Sequence, residues 1–292
     1  MIDEYPYPGL RPFEREETDI FFGREQHTDQ LLELLGHSRF IAIIGPSGCG
    51  KSSLVRTGLL AGLDSGFLTK AGEQWRIAEM RPGNRPFANL ATALLDEMVL
   101  GPAYTPYFNN DNKAIAALEG RLRRGPLSLH EILQDTPLPD GTNLLVLVDQ
   151  FEEIFRYYQE GEVEATAAFV ALLLESYGAT LSQKENFKTN IYVVITMRSD
   201  FIGDCALFQG LPEAINQGLF LTPRLSRDQL HEAIALPAGV FGGEVAPALV
   251  NKLLNDVGDE HDQLPVVQHA LMRMWTLATA KEENEVKLTL DH

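Results

Sequence analysis

Cysteine is scarce: Cys49 and Cys205 are the only two in 292 residues. Two thiols in so long a chain do not make a disulfide framework and fit a reducing compartment, so the cytoplasm is the expected location. Long apolar runs are lacking as well. No stretch reaches the roughly 18 uninterrupted apolar residues that a membrane span needs. Met1-Ile2-Asp3-Glu4-Tyr5-Pro6 lacks the basic start and apolar run of a signal peptide, and no membrane partner is expected. Positive charge is in deficit: 24 Lys and Arg stand against 41 Asp and Glu, a formal net charge of −17. Such a field repels nucleic acid and anionic lipid at long range, which counts against direct nucleic-acid binding. The densest basic cluster, Arg121-Leu122-Arg123-Arg124, reads as a solvated helix face. Internal repeats and low-complexity tracts are also missing. What is present is a chain 45% apolar and 22% charged, the profile of a globular protein with room for one large domain and a small one.

The opening segment Tyr5–Phe13 holds three prolines in nine residues and should be extended. Asp19 to Leu35 reads as a loop entering a helix. Four short apolar runs then have the look of buried parallel strands: Phe40–Ile44, Trp75–Met80, Leu144–Val148 and Ile191–Thr196, with Leu219–Leu221 as a short fifth. Helical spacing separates them at Ser52–Leu63, Phe87–Leu100 and Glu162–Tyr177. Residues 101–127 are mixed and read as a variable insert. Ser128-Leu129-His130-Glu131 and Ser226-Arg227-Asp228-Gln229 have the form of capping boxes. Residues 226–280 show helical patterns and no strand. The fold class expected is α/β, three layers with a mostly parallel sheet between helices, followed by a small helical domain.

Chemistry concentrates first at Gly45, Pro46, Ser47, Gly48, Cys49, Gly50, Lys51, Ser52 and Ser53, which satisfy the pattern G-x-x-x-x-G-K-[ST]. The loop must turn successive backbone N–H groups toward phosphate oxygens, and side chains would obstruct that. The helix behind it points its N-terminal N–H groups at the same anion. Lys51 supplies a full charge to the β- and γ-phosphates, and Ser52 a hydroxyl to magnesium. Cys49 reads as a small residue in a permissive position, or as a thiol made acidic by the helix N-terminus.

A carboxylate at a strand end should complete such a site, and Asp149 follows five apolar residues. It would hold the Mg2+ ion. Glu152 or Glu153 could orient and deprotonate an attacking water, or simply suit a first helical turn. Arg198 ends the fourth strand. There it could reach a γ-phosphate and tell ATP from ADP, or form a salt bridge with Asp200 or Asp204. The acidic run Asp256, Asp259, Glu260, His261 and Asp262 lacks a metal-ligand spacing and reads as a solvated loop. Phe151, Phe155, Tyr157, Tyr158 and Trp275 read as core.

These motifs occur with others in one order. They are Pro8-Gly9-Leu10-Arg11-Pro12-Phe13, Phe21-Phe22-Gly23-Arg24-Glu25, the glycine loop, Val148-Asp149-Gln150-Phe151-Glu152-Glu153, Arg198-Ser199-Asp200-Phe201 and Leu264-Pro265-Val266-Val267-Gln268-His269-Ala270-Leu271. Together they resemble the novel STAND NTPase domain, related to the NACHT and NB-ARC switches. The resemblance covers nearly the whole chain. It implies an AAA-like P-loop NTPase core, then a helical and a winged-helix domain, with slow ATP hydrolysis. It also implies a resting state with ADP, self-association on activation, and C-terminal sensor domains such as WD repeats in a longer protein. Many members resemble anti-phage defence proteins. Gly23, Arg24 and Glu25 match the stretch against the nucleotide base, Pro265 the proline packed near it, and Arg198 the phosphate sensor. The expected division is an extended segment over 1–22, a nucleotide-binding domain over 23–223, a helical domain over 224–285, and the start of a truncated winged helix over 286–292. Gln150 stands where AAA motors carry glutamate, which favours a switch. The alternatives are an AAA-like motor acting on protein or nucleic acid, and a scaffold whose loop no longer binds nucleotide.

Overall fold

The computed structural model describes residues 5–66, 74–104, 110–182, 190–257, 263–280 and 286–290. Along the chain run α1 (Glu25–His37), β1 (Phe40–Gly45), α2 (Lys51–Ser53), a π-helical stretch (Leu54–Leu60) and α3 (Ala61–Asp64). Then come β2 (Gln74–Met80), α4 (Pro86–Leu94), α5 (Gly101–Tyr104), α6 (Asp111–Leu122), α7 (Ser128–Asp135) and β3 (Thr142–Val148). These are followed by α8 (Glu153–Gln159), α9 (Val163–Ser182), β4 (Ile191–Arg198), α10 (Leu211–Gln217) and β5 (Leu219–Leu221). The chain continues through α11 (Arg227–Val240), β6 (Glu244–Val245), α12 (Pro247–Asp256), α13 (Gln263–Thr279) and β7 (Lys287–Leu288). Two compact units form, one from residues 33–44 and 66–221, the other from residues 1–32, 45–65 and 222–292.

The first unit is built on a sheet in the order β2-β3-β4-β1-β5. The β2–β3, β3–β4 and β1–β5 pairs are parallel. Every residue of β1 and β3 is buried, as expected for strands covered by helices on both faces. The register pairs Met80 with Val148 and Val148 with Ile195, so the residues that follow the strands emerge side by side at one edge. Phe87 packs edge-on against Phe169 with 5.4 Å between ring centroids, joining α4 to α9 in a core that includes Leu90, Leu118, Leu133 and Leu172. Each such buried side chain contributes about 1.5–3 kcal/mol.

Several expectations need correction here. Among the described residues of the mixed segment 101–127, most form regular structure: α6 is capped by Asn110, whose side chain accepts from the Lys113 N–H. Its Leu118 and Leu122 enter the core. The helix expected over Phe87–Leu100 is α4, which stops at Leu94. Ser128 does not cap α7. It already lies within the helix, and its hydroxyl donates to the Leu122 carbonyl at 2.9 Å, a local bond that competes with capping. The basic cluster does lie on a helix end: Arg121 pairs with Asp135, Arg123 with Glu119, and Arg123 also covers the Phe87 ring.

In the second unit the Ser226 capping box forms in full: its hydroxyl accepts from the Gln229 N–H and the Gln229 side chain accepts from the Ser226 N–H. The core gathers Tyr7, Leu230, Ile234, Leu249, Leu271, Trp275 and Leu288. Tyr7 is fully buried, and its hydroxyl donates to the Ile234 carbonyl at 2.7 Å, so the extended opening segment is stitched into this core. The strand-free reading of 226–280 is corrected by β6, which pairs in parallel with β7. Two residues per strand carry too little pattern to be read in advance. Of the acidic run, Asp256 pairs with Lys252, and residues 259–262 lie outside the described residues. Among the described residues no cluster of His, Cys, Asp and Glu could hold a metal, and no helix is long and apolar enough to cross a membrane.

Candidate functional site

The glycine loop follows β1 directly. Gly48 (φ 67°) and Gly50 (φ 90°) take left-handed backbone conformations, which a side chain would oppose. Gly50 caps α2 without a side-chain hydrogen bond, so the first N–H groups of the helix are left to other partners. A Cβ on Gly45 would lie 2.8 Å from Cys49 Sγ and 3.1 Å from Thr222 Cβ. Cys49 is thus a buried small residue packed against Gly45. Lys51 Nζ lies back across the loop, donating to the carbonyls of Gly45 at 2.9 Å and Pro46 at 2.7 Å. That places its charge over the backbone that would face a phosphate. Ser47 is exposed and Ser52 half-buried. Ser53 is used structurally: its hydroxyl accepts from the Phe13 N–H at 3.1 Å.

Around the loop, Gly23-Arg24-Glu25 has a defined job in the packing. Gly23 (φ 81°) sits so close to α11 that a Cβ would lie 2.3 Å from the Gln229 carbonyl oxygen. Glu25 accepts from the Gly23 N–H at 3.1 Å. Arg24 is buried and donates to the carbonyls of Cys49 at 2.9 Å and Pro223 at 2.8 Å, with Nη1 3.2 Å from His27 Nδ1. Among the described residues no carboxylate pairs with it. Burial lowers its pKa to about 10, Cys49 pulling the other way, so it stays charged at neutral pH. Pro265 is half-buried in the first turn of α13.

The sheet unit presents the acidic group. Asp149 follows β3 and is 2% exposed. Its Oδ1 accepts from the Thr196 hydroxyl at 2.7 Å, and its Oδ2 pairs with the Arg81 guanidinium at 3.2 Å. The backbone then turns sharply: Gln150 is the non-glycine residue with φ 57°, held by donating its N–H to Thr196 Oγ1 at 2.9 Å. The Phe151 N–H donates to the Thr196 carbonyl at 2.8 Å. One threonine thus fixes both the carboxylate and the turn behind it. Neither Thr196 nor Arg81 stood out in the sequence. The signal was there only for a reader who knew the register, since Arg81 follows Met80 as Asp149 follows Val148.

The two glutamates differ. Glu153 accepts from the Gly83 N–H at 2.9 Å, while Glu152 takes a longer bond, 3.3 Å, from the Arg198 N–H. Arg198 is exposed and pairs with Asp200, and its guanidinium lies 5.7 Å from the Phe201 ring centroid. Phe201 in turn stacks on Phe155 at 5.8 Å, so the loop after β4 is anchored to the core through its aromatic residue. The salt bridge foreseen as the plain reading of Arg198 is present, between two exposed side chains where solvent screens it.

Each unit by itself carries groups of a kind that a magnesium nucleotide takes. The loop glycines leave backbone N–H groups unobstructed, Lys51 carries a charge to the same place, and Asp149 is a buried carboxylate of the kind a divalent cation takes.

A family model described as Novel STAND NTPase 1 matches residues 6–292. Comparison with curated proteins finds no match. Among solved structures the chain is similar to the Orc1 protein of Aeropyrum pernix in complex with DNA, at 15% identity and a TM-score of 0.57 over 93% of this chain. It spans 64% of that chain. The Aeropyrum pernix Orc2 protein, solved as ADPNP and ADP complexes, gives 13% identity and a TM-score of 0.57, covering 99% of this chain and 68% of that one. Cdc6p of Pyrobaculum aerophilum gives 15%, 0.54, 98% and 68% in the same terms. At these identities the likeness shows the fold alone, a mostly parallel five-stranded sheet with helices.

Proposed function

This chain belongs to the Novel STAND NTPase 1 family, and from that premise we propose that it is an ATP- and ADP-binding regulatory switch with slow magnesium-dependent hydrolysis. The observation that carries the reading is the glycine loop, with Gly48 and Gly50 in left-handed conformations and Lys51 held across it. Magnesium, when bound, would polarise the β- and γ-phosphates. Ser52 and Asp149 are the residues assigned to it, with Gly45, Gly50 and Lys51 on the phosphates and Arg198 as the phosphate sensor. Gly23, Arg24, Glu25 and Pro265 are assigned to the surroundings of the base, following the family resemblance.

A switch rather than a motor is supported by the residue after Asp149. Gln150 carries no acid and is held in a left-handed turn, so no carboxylate stands where fast hydrolysis would use one. Moving a two-state equilibrium from 1:99 to 99:1 takes about 5.5 kcal/mol of differential affinity. The γ-phosphate contacts of Lys51 and Arg198 are the proposed source. Self-association on activation, C-terminal sensor repeats, a cytoplasmic setting and a role in antiviral defence complete the proposal. So does the division into an extended segment over 1–22, a nucleotide-binding domain over 23–223 and a helical domain over 224–285.

The test is calorimetric titration of ATP and ADP, with magnesium, into this chain stripped of nucleotide and into Lys51→Ala. A micromolar dissociation constant corresponds to about −8.2 kcal/mol, and the variant should lose most of the ATP signal. Equal binding by both proteins, or none by either, would sink the reading.

A further inference from the structure

We propose that Arg81 is the resident counter-ion of Asp149, displaced when a divalent cation takes that carboxylate, and that it thereby sets the metal requirement of the site. The inference rests on the magnesium-nucleotide reading above and adds to it a residue that neither the loop motif nor the family match assigns.

Register makes the pairing. Met80 lies beside Val148, and the Asp149 N–H donates to the Met80 carbonyl at 2.8 Å. Arg81 and Asp149 therefore leave adjacent parallel strands at the same level. The pair is lopsided in exposure: the Asp149 side chain is 2% exposed and the Arg81 side chain 48%. Burying a carboxylate is costly unless a cation or hydrogen bonds compensate it. The Thr196 hydroxyl donates one bond to Asp149, and Arg81 brings a positive charge to it through Nε at 3.3 Å and Nη2 at 3.2 Å. Both distances exceed the roughly 2.7–2.9 Å of a tight charge-assisted bond, so the pair is close without being clamped.

The backbone of the arginine is fixed independently. The Asn89 side chain donates to the carbonyls of Arg81 and Pro82, both at 3.0 Å, and the Gly83 N–H donates to Glu153. The guanidinium can thus swing into solvent while the turn that carries it stays in place. Two cations on one carboxylate repel each other, so a divalent ion and the guanidinium compete for Asp149. Removing Arg81 should make the carboxylate easier to fill.

The experiment titrates magnesium into the full chain at fixed ATP and reads nucleotide binding by calorimetry, with an EDTA control. Arg81→Gln should lower the half-saturating magnesium concentration about tenfold, equivalent to about 1.4 kcal/mol. It should leave metal-free ATP affinity unchanged, and Arg81→Lys should stay near the wild-type midpoint. An unchanged or raised midpoint in Arg81→Gln overturns the proposal. So does an equal loss of ATP affinity with and without magnesium, which would place Arg81 on the phosphates. If Arg81→Gln does not fold, Arg81→Met, which keeps the aliphatic stem, takes its place under the same criteria. If the wild type binds no ATP, the switch reading fails. Mn2+ followed by electron paramagnetic resonance on wild type and Arg81→Gln then still decides the counter-ion role, tighter Mn2+ binding by the variant supporting it and equal binding overturning it.

Discussion

Arg24 donates from Nη2 to the carbonyl oxygen of Cys49 at 2.9 Å and from Nη1 to that of Pro223 at 2.8 Å. A buried charge thereby ties the glycine loop to the start of the segment that leads into α11. Arg24→Met should leave the buried Cys49 carbonyl short of a partner, at about 1–3 kcal/mol, while the exposed Pro223 carbonyl can turn to water. Melting would fall by about 2–4 °C per kcal/mol for a protein of this size, and ATP affinity would drop because the loop is no longer held. Arg24→Lys should rescue little, since an ammonium lacks the planar fork that spans two carbonyls. Differential scanning calorimetry and ATP titration of the three proteins check both effects. Full rescue by lysine would show that charge alone matters.

Thr196 is the hinge of the acidic turn, donating to Asp149 and accepting from Gln150. Thr196→Val keeps the shape and removes both bonds. Stability should fall by about 1–3 kcal/mol in urea unfolding, and the magnesium dependence of ATP binding should weaken as the Asp149 carboxylate loses its orientation. A variant with wild-type magnesium dependence would mean that the threonine serves the turn alone.

Glu152 and Glu153 can be separated by turnover. Glu153 is engaged by the Gly83 N–H at 2.9 Å, which ties it to the turn after β2. Glu152→Gln should therefore abolish most phosphate release with ATP binding retained. Glu153→Gln should act mainly on stability. A phosphate-release assay under single-turnover conditions reads the difference, and the reverse pattern would reassign the acid.

Burial and then the neighbouring Arg24 charge hold the His27 imidazole below its ordinary value, with Glu25 opposing. The unfolded chain therefore takes up this proton first as pH falls. The stability it contributes is complete above about pH 6.5 and is lost as pH drops through the lowered folded value. Wild type should melt progressively earlier below about pH 6.5, and His27→Gln should show a shallower decline. His130, also lowered chiefly by burial, leaves part of the slope in place. Identical slopes would place the acid sensitivity elsewhere.

Much of this was legible in the sequence because burial leaves a pattern. Leu144–Val148 is uninterrupted and apolar, it forms β3, and the acid that ends it is Asp149. The glycine loop was legible because its chemistry demands fixed residue types. What escaped was set by partners distant in sequence. The pairing of Arg81 with Asp149 depends on a strand register no local window contains. The left-handed turn at Gln150 is held by Thr196 and not by a glycine, so nothing local announced it. Two segments with the same capping-box spelling behaved differently, Ser226 forming the box and Ser128 bonding to Leu122 instead. That difference lies in how the preceding chain arrives.

The π-helical stretch Leu54–Leu60 has a consequence for insertions and deletions. Bonds from i to i+5 accommodate one residue more than an α-helix would over the same span. Deleting a single residue there would give a regular α-helix with better local hydrogen bonding. It would also leave the buried face of the stretch, Leu54, Val55, Thr57, Leu59 and Leu60, one side chain short, beside Gly62, where a Cβ would already come within 2.8 Å of Leu32 Cδ1. In this segment a change of length that improves the helix would damage the packing, so sister sequences should vary in spelling here long before they vary in length.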